Sequence, residues 1–171
     1  MAEEFLTLMA DLDDESQARM SAWYASLKEA GFVGVQTPGL PFHFSLALLP
    51  LEKEREAAAR MEEAAARFPA FPVHISHIGL FAGGRVLFGA PERNRMLDAL
   101  HEEFEPEADP AGPWTPHATI LIDEPAAVFR AIPVLAESFR PFIATVVRLH
   151  LCAFWPTREI ARAELTGKLN L

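Results

Sequence analysis

Apolar and polar residues alternate with a period of two in several short segments, and this alternation predicts β-strands. The first predicted strand lies in EEFLTLMADLD, residues 3–13, whose apolar side chains would face a buried sheet surface. Further strands are expected at 43–49, 72–82, 85–89, 117–123, 142–154 and 158–165. The strands at 72–82 and 85–89 should form a hairpin, because Gly83-Gly84 between them suits a tight turn.

Helical spacing of apolar residues predicts four helices between these strands. The first runs from Asp13 or Asp14 to Ala30, with acidic residues at its start and Gly31 after its end. The second, 51–68, consists almost entirely of Ala, Glu, Arg and Lys, which favour helix. The third should begin at Pro91 and reach about Phe104, since proline suits the first helical turn. The fourth covers 125–139, where Pro133 should kink or shorten it.

The order of elements repeats once along the chain. A strand, a helix and a two-stranded hairpin follow each other from residue 43, and the same order returns from residue 117. Loops rich in Gly and Pro precede both repeats, at 34–41 and 105–116. This order predicts an α+β fold of two similar lobes, each an antiparallel sheet with helices on its outer face, within one domain spanning 1–171.

Composition and charge restrict the classes of partner. Half of the 171 residues are apolar, and no apolar run approaches the roughly 20 residues that cross a bilayer. One cysteine and an acidic N-terminus favour a cytoplasmic protein with no membrane partner. Asp and Glu outnumber Lys and Arg by 24 to 15, for a net charge of −9. An extended nucleic-acid footprint is therefore not expected, because such footprints depend on Lys and Arg.

Two predicted strands open with the same pattern of residue types. One reads His43-Phe44-Ser45-Leu46 and the other His117-Ala118-Thr119-Ile120. Alternation along a strand places His43 and Ser45 on one face, and His117 and Thr119 likewise share a face. If the two lobes face each other, two imidazoles and two hydroxyls converge on one pocket.

These four side chains are sufficient to cleave a phosphodiester without a metal ion. A neutral imidazole can take a proton from the attacking group while a protonated one donates to the departing oxygen. Both forms are available near neutral pH because an unperturbed histidine titrates near pH 6.5. The hydroxyls can donate hydrogen bonds to phosphate oxygens. One histidine cannot act on both sides of phosphorus, which explains why the pattern occurs twice.

The paired motifs resemble the doubled His-x-Thr/Ser-x signature of the 2H phosphoesterase superfamily, and within it the bacterial 2′-5′ RNA ligase / cyclic phosphodiesterase branch. The likeness extends to FPVHISHIGLF (71–81) and PWTPHATI (113–120). Ser45 stands where that family more commonly has Thr, which keeps the hydroxyl.

The resemblance implies a bilobal α+β fold around a central cleft. It also implies opening of 2′,3′-cyclic phosphates on nucleotides or RNA ends without a metal or cofactor, and 2′-5′ ligation in reverse. By the same resemblance His117 is the base, His43 is the acid, and Ser45 and Thr119 hold the phosphate. We expect the protein to be a monomer. The alternative is a binding module of the same fold that holds a nucleotide or RNA end without turnover, and a third possibility is a structural protein.

Other residues near the motifs are candidates for substrate contact. Phe42 and Trp114 adjoin the two histidines, where a base or ribose could stack on them, although packing explains them equally well. Arg158 or Arg85 could supply positive charge to the phosphate, and spacing does not choose between them.

Several further polar groups have simpler structural explanations. His74 and His77 fall on opposite faces of a strand and are interpreted as surface residues. Asp13 or Asp14, at the end of Asp11-Leu12-Asp13-Asp14, is interpreted as a helix cap. Cys152 is interpreted as a buried, inert thiol; pairing with His150 as a nucleophile would lack a third member.

Overall fold

The computed structural model describes residues 4–104 and 113–169, which form seven β-strands and four α-helices. In chain order these are β1 (Phe5–Leu12), α1 (Asp14–Glu29), β2 (His43–Pro50), α2 (Glu54–Arg67), β3 (Phe71–Leu80), β4 (Val86–Pro91), α3 (Arg95–Glu102), β5 (Ala118–Ile122), α4 (Pro125–Ser138), β6 (Phe142–Phe154) and β7 (Arg158–Glu164). A short 3₁₀ turn at Leu51–Lys53 precedes α2.

All strand pairs are antiparallel, and the sheet has two halves that share the long strand β6. The start of β6 pairs with β3, and β3 continues through β4 to β5. The rest of β6 pairs with β1 on one edge and β7 on the other, and β1 continues to β2. The strands β2 and β5 then meet at the far side. The predicted α+β class with antiparallel sheets and covering helices is confirmed.

The helices cover the sheet and close the main hydrophobic core. Helix α1 packs against α4 and the sheet, and α2 packs against β6 and β7. Of the apolar residues whose helical spacing predicted α1, Met20, Trp23 and Leu27 are buried and Tyr24 is partly buried. Asp13 caps this helix by accepting a hydrogen bond of 3.0 Å from the backbone N–H of Ser16, as the sequence predicted.

The predicted start of the third helix at Pro91 is wrong. Pro91 is the last residue of β4 and pairs with Ile75 of β3, at a strand end where a missing N–H is tolerated. Helix α3 begins at Arg95 because Asn94 caps it, accepting hydrogen bonds from the backbone N–H groups of Met96 and Leu97.

Pro133 does not shorten the fourth helix, which continues unbroken from Pro125 to Ser138. The proline removes the bond that the carbonyl of Phe129 would accept. Both Phe129 and Pro133 lie on the exposed side of the helix, where water can satisfy that carbonyl.

The structure describes the predicted loop at 105–116 only from residue 113 onwards. Its residues 105–112 lie outside the described residues. In the helices that the structure does describe, none is both long and apolar enough to cross a bilayer.

Candidate active site

The two motif strands are neighbours in the sheet, paired through Phe44 of β2 and Ala118 of β5. Both of these residues are fully buried and point into the core. Because side chains alternate along a strand, His43 and Ser45 of the first motif point to the opposite face of the sheet. His117 and Thr119 of the second motif point to that same face. All four side chains are partly exposed. The structure thus brings together the four residues that the sequence predicted to act together.

Both motif histidines are held by the same backbone contact. Nδ1 of His43 lies 2.7 Å from the carbonyl oxygen of Pro41, and Nδ1 of His117 lies 2.8 Å from that of Thr115. A carbonyl accepts only, so Nδ1 is the protonated nitrogen that donates in each ring. When either ring is neutral, Nε2 is left with a lone pair that can accept a proton from a bound molecule.

Burial lowers the pKa of both imidazoles, because a charged ring loses hydration in the cleft. For His43 the carbonyl of Pro41 and the carboxylate of Asp11 oppose this effect, while His150 and His117 lower the pKa further. For His117 the carbonyl of Thr115 opposes it.

Aromatic rings surround His117 on its own half of the sheet. Phe81 meets the imidazole edge-on with ring centres 4.7 Å apart, and Phe88 lies at 5.3 Å. Phe88 reaches this position because it packs over Gly79, its partner on β3, where a Cβ atom would come within 2.1 Å of the phenyl ring. A glycine at 79 is therefore required for this packing around His117.

A cavity of about 580 Å³ adjoins the motif residues, with His43, Ser45 and Thr119 in its lining and His117 outside it. Most of the 33–42 loop forms another part of the lining. The remaining lining residues are Phe5, Tyr24, Lys28, Ile120, Ile122, Phe154 and Trp155. Trp155 is 51% exposed and lies at the rim. A largely apolar lining with a few polar groups is typical of small-molecule binding sites.

The 33–42 loop is fixed to the rest of the protein at both ends. At one end, Val35 donates a backbone hydrogen bond of 2.7 Å to Ile122 of β5. Gly34 has φ of +73°, and a Cβ there would lie 2.7 Å from the carbonyl oxygen of Ile122, so this approach needs glycine. At the other end, the side-chain amide of Gln17 both donates to and accepts from the backbone of Phe42, each at 2.8 Å. The cavity wall is therefore preformed.

The two aromatic candidates lie in different places. Phe42 is part of the cavity lining. The indole of Trp114 instead stacks on His101, with ring centres 4.0 Å apart and planes within 7°. Its Nε1–H donates a hydrogen bond of 3.0 Å to the backbone carbonyl of Ser45. In this position Trp114 supports the first motif strand.

Both arginine candidates are bound to carboxylates. The guanidinium of Arg158 contacts both oxygens of Glu54, at 2.6 and 3.3 Å. Arg85 contacts both oxygens of Glu124, at 2.7 and 2.9 Å. Neither arginine is in the cavity lining.

The other histidines and acidic residues that the sequence singled out lie either at the surface or in the buried interior of the sheet. His74 pairs with Glu92 at 3.2 Å, and His77 is exposed. Within residues 4–104 and 113–169, no three His, Cys, Asp or Glu side chains are grouped to hold a metal ion. His150 and Cys152 are buried, and Asp11 of β1 lies beside His150.

The sequence interpretation considered Asp11 only as part of Asp11-Leu12-Asp13 and did not place it beside His43, with which it pairs across the sheet. It is an acidic residue within an otherwise apolar strand, on the same face as Phe5, Thr7 and Met9. An acidic residue in a strand of mostly apolar residues was the feature of the sequence that could have indicated a role for Asp11.

Comparisons with known proteins identify a family and a fold. A family model described as the 2′-5′ RNA ligase superfamily matches residues 12–154. No curated protein sequence matches the chain. Among solved structures, Escherichia coli LigT complexed with NADP+ is 26% identical, with 96% of this chain and 99% of that chain covered and a TM-score of 0.66.

Two more solved structures have the same fold. Escherichia coli LigT complexed with phosphate is 25% identical over 96% of this chain and 98% of that chain, with a TM-score of 0.64. The protein TT0787 of Thermus thermophilus is 19% identical over 96% and 100% of the two chains, with a TM-score of 0.65. The second similarity concerns the fold alone.

Proposed function

The chain belongs to the 2′-5′ RNA ligase superfamily of 2H phosphoesterases, and we propose that it opens the 2′,3′-cyclic phosphate of a nucleotide or short RNA end without a metal ion. Its family and fold are those of phosphodiesterases and RNA-ligase-like enzymes. The proposal that it opens a cyclic phosphate without a metal ion is supported by one observation. Phe44 pairs with Ala118, and this pairing places two histidines and two hydroxyls on one face of the sheet.

In the proposed reaction the two imidazoles act through Nε2. Nε2 of neutral His117 takes a proton from water as the water oxygen forms a bond to phosphorus. The bond from phosphorus to one ribose oxygen breaks, and protonated His43 gives its Nε2 proton to that oxygen. The hydroxyls of Ser45 and Thr119 donate hydrogen bonds to the non-bridging oxygens, which carry the negative charge. The product is a ribose phosphomonoester.

The same arrangement supports the reverse reaction with the two roles exchanged. His43 would then take the proton of a ribose hydroxyl, and His117 would protonate the group that leaves phosphorus. This reverse step closes the ring and re-forms the cyclic phosphate. A 2′-5′ ligation runs in the first direction, with the 5′-hydroxyl of a second nucleoside in place of water. His117 takes its proton as its oxygen bonds to phosphorus, and His43 protonates the 3′-oxygen as the bond from that oxygen to phosphorus breaks. The direction depends on the substrates supplied.

The cavity and the relatives favour a small substrate. A volume of about 580 Å³ accommodates one nucleoside beside the motif residues, with Phe42 available for stacking. The net charge of −9 does not favour a long RNA partner. LigT has been crystallised with phosphate and with NADP+, and by analogy the phosphate here would lie between Ser45 and Thr119.

The test is hydrolysis of a panel of 2′,3′-cyclic nucleotides and cyclic-phosphate RNA ends in the presence of EDTA. Replacing His43 or His117 by Ala should each reduce kcat by at least about 10²-fold while the fold is retained. His77→Ala is the matched control, because His77 is exposed and lies on β3 rather than on either motif strand, and it should retain full activity.

Two outcomes would contradict the proposal. Loss of activity in EDTA that a divalent ion restores would indicate metal chemistry. Tight binding of a 2′-phosphonucleotide without hydrolysis of any cyclic substrate would indicate a binding module instead.

A further inference from the structure

A buried ion pair, Asp11 and His150, lies beside His43 on the sheet face from which His43 projects. Asp11 of β1 is 0% exposed and His150 of β6 is 1% exposed. Nδ1 of His150 is 3.2 Å from Oδ2 of Asp11. Asp11 is also the cross-strand partner of His43, so both side chains project from the same face of the sheet. The carboxylate therefore has an imidazole on each neighbouring strand.

The other charged groups near this pair are occupied with each other. On β6, Arg148 is the cross-strand partner of Asp11, but its guanidinium binds Glu164 at 2.8 Å. On β7, Arg162 faces His150 and binds Glu159 at 2.7 Å. His150 is therefore the basic group paired with Asp11 within the described residues.

The far side of the His150 ring also meets groups that stabilise its charged form. Nε2 of His150 lies 3.2 Å from Sγ of Cys152 and 3.4 Å from a carboxylate oxygen of Glu159. Burial alone would lower the pKa of His150, but the contacts with Asp11 and Cys152 outweigh burial and raise the pKa to about 9. At neutral pH the ring is therefore protonated, and it balances a carboxylate that would be costly to bury alone.

The surroundings of the two motif histidines differ in kind. His43 has the Asp11–His150 pair beside it, whereas His117 contacts the rings of Phe81 and Phe88. Their backbone contacts through Nδ1 are otherwise alike. A nearby carboxylate stabilises an imidazolium, and an apolar aromatic environment favours the neutral ring. The difference therefore favours His43 as the proton donor.

We propose that Asp11 and His150 are positioning residues whose charges, on β1 and β6, control how readily His43 takes up a proton. Asp11 stabilises protonated His43, and the charge of His150 limits that stabilisation so that the proton can still be given away. This inference rests on the proposed function for its catalytic meaning. Its physical content, the control of one imidazole by a buried ion pair, does not depend on turnover.

A nucleophilic role for the cysteine does not fit the same contacts. Cys152, His150 and Asp11 are connected in the order of a thiol, a base and a carboxylate. The thiol is nevertheless buried with Met9 and Phe154 in a small apolar cluster. A substrate carbon or phosphorus atom cannot reach it there.

The test is titration of the assigned histidine ring signals by NMR in the full chain. Asp11→Asn should lower the pKa of His43, because it removes the charge on the directly paired residue. His150→Gln should raise the pKa of His43 with the Asp11 carboxyl still ionised, because it then removes a positive charge alone. The pKa of His117 should move less in both variants. Unchanged His43 titration in both variants, or shifts of the same sign, would overturn the proposal.

Two further measurements distinguish the inference from the function. In the unmodified protein, His150 should keep both ring nitrogens protonated at pH 8; a neutral ring would overturn the proposal even if neither variant folds. If cyclic substrates are hydrolysed, Asp11→Asn should lower kcat/KM about 10-fold at pH 8 and shift the alkaline limb of its pH profile towards acid. The loss for Asp11→Asn is smaller than the loss expected for His43→Ala, which is about 10²-fold or more. Absence of hydrolysis with the expected titration would reject the function alone.

Discussion

Trp114 donates a hydrogen bond from its indole Nε1 to the backbone carbonyl of Ser45, across 69 residues of chain. The indole stacks on His101, whose Nδ1 lies 2.6 Å from the carbonyl oxygen of Leu46. Two successive carbonyls of β2 are thus bound from one side. Since Trp114 also leads directly into the second motif, this contact links the positions of the two histidines.

We expect Trp114→Phe and Trp114→Ala to separate stacking from hydrogen bonding. The Phe variant keeps the stack but loses the bond to Ser45, which should cost about 1 kcal/mol of unfolding free energy. The Ala variant loses both, and should cost about 3 kcal/mol. Urea unfolding measures the stability, and kcat should fall in the same order. Unchanged stability and kcat in both variants would show that the contact does not position β2.

The hydroxyls of Ser45 and Thr119 should each contribute to the rate of the chemical step. Replacing either by Ala removes a hydrogen bond to the developing charge, and kcat should fall by about 10²-fold. Ser45→Thr retains the hydroxyl and should keep kcat within about threefold. Ser21→Ala, at an exposed position of α1, is the matched control. Equal kcat for Ser45→Ala and the control would remove Ser45 from the site.

The pH profile of kcat/KM should be bell-shaped with its maximum on the acid side of pH 6.5. One histidine must be neutral and the other protonated, and burial lowers the pKa of both His43 and His117 in the free protein. In the complex, the substrate phosphate stabilises the charged rings, so the maximum of kcat should lie at higher pH than that of kcat/KM. Initial rates at constant ionic strength from pH 4.5 to 9 provide both profiles. A kcat/KM maximum above pH 7 would contradict this assignment.

His150 should make stability depend on alkaline pH. Its pKa of about 9 in the folded protein lies above the unfolded value of 6.5, so its contribution is complete below pH 6.5 and is lost as pH rises through 9. The contribution is roughly 3 kcal/mol at neutral pH. Denaturant unfolding between pH 6 and 10 measures it, and His150→Gln should abolish this part of the pH dependence. Parallel curves for the two proteins would contradict the elevated pKa.

The periodicity of the sequence determined most of the elements and the identity of the motif residues. Alternation from His43 to Leu46 and from His117 to Ile120 is a local property, and it determined which motif side chains share a face. The same holds for α1, where helical spacing predicted three residues that the structure buries, Met20, Trp23 and Leu27. Local rules failed at Pro91, where pairing with β3 extended the strand and a cap at Asn94 delayed the helix.

Only the tertiary structure decided what surrounds those motif residues. Which strand lies beside which is set by the packing of the whole sheet, so the sequence alone did not place Asp11 next to His43 or His150 next to Asp11. It also did not assign Trp114 to His101, or Arg158 to Glu54. Alternation reports the face of one strand, whereas the electrostatics of a site depend on neighbours contributed by distant segments.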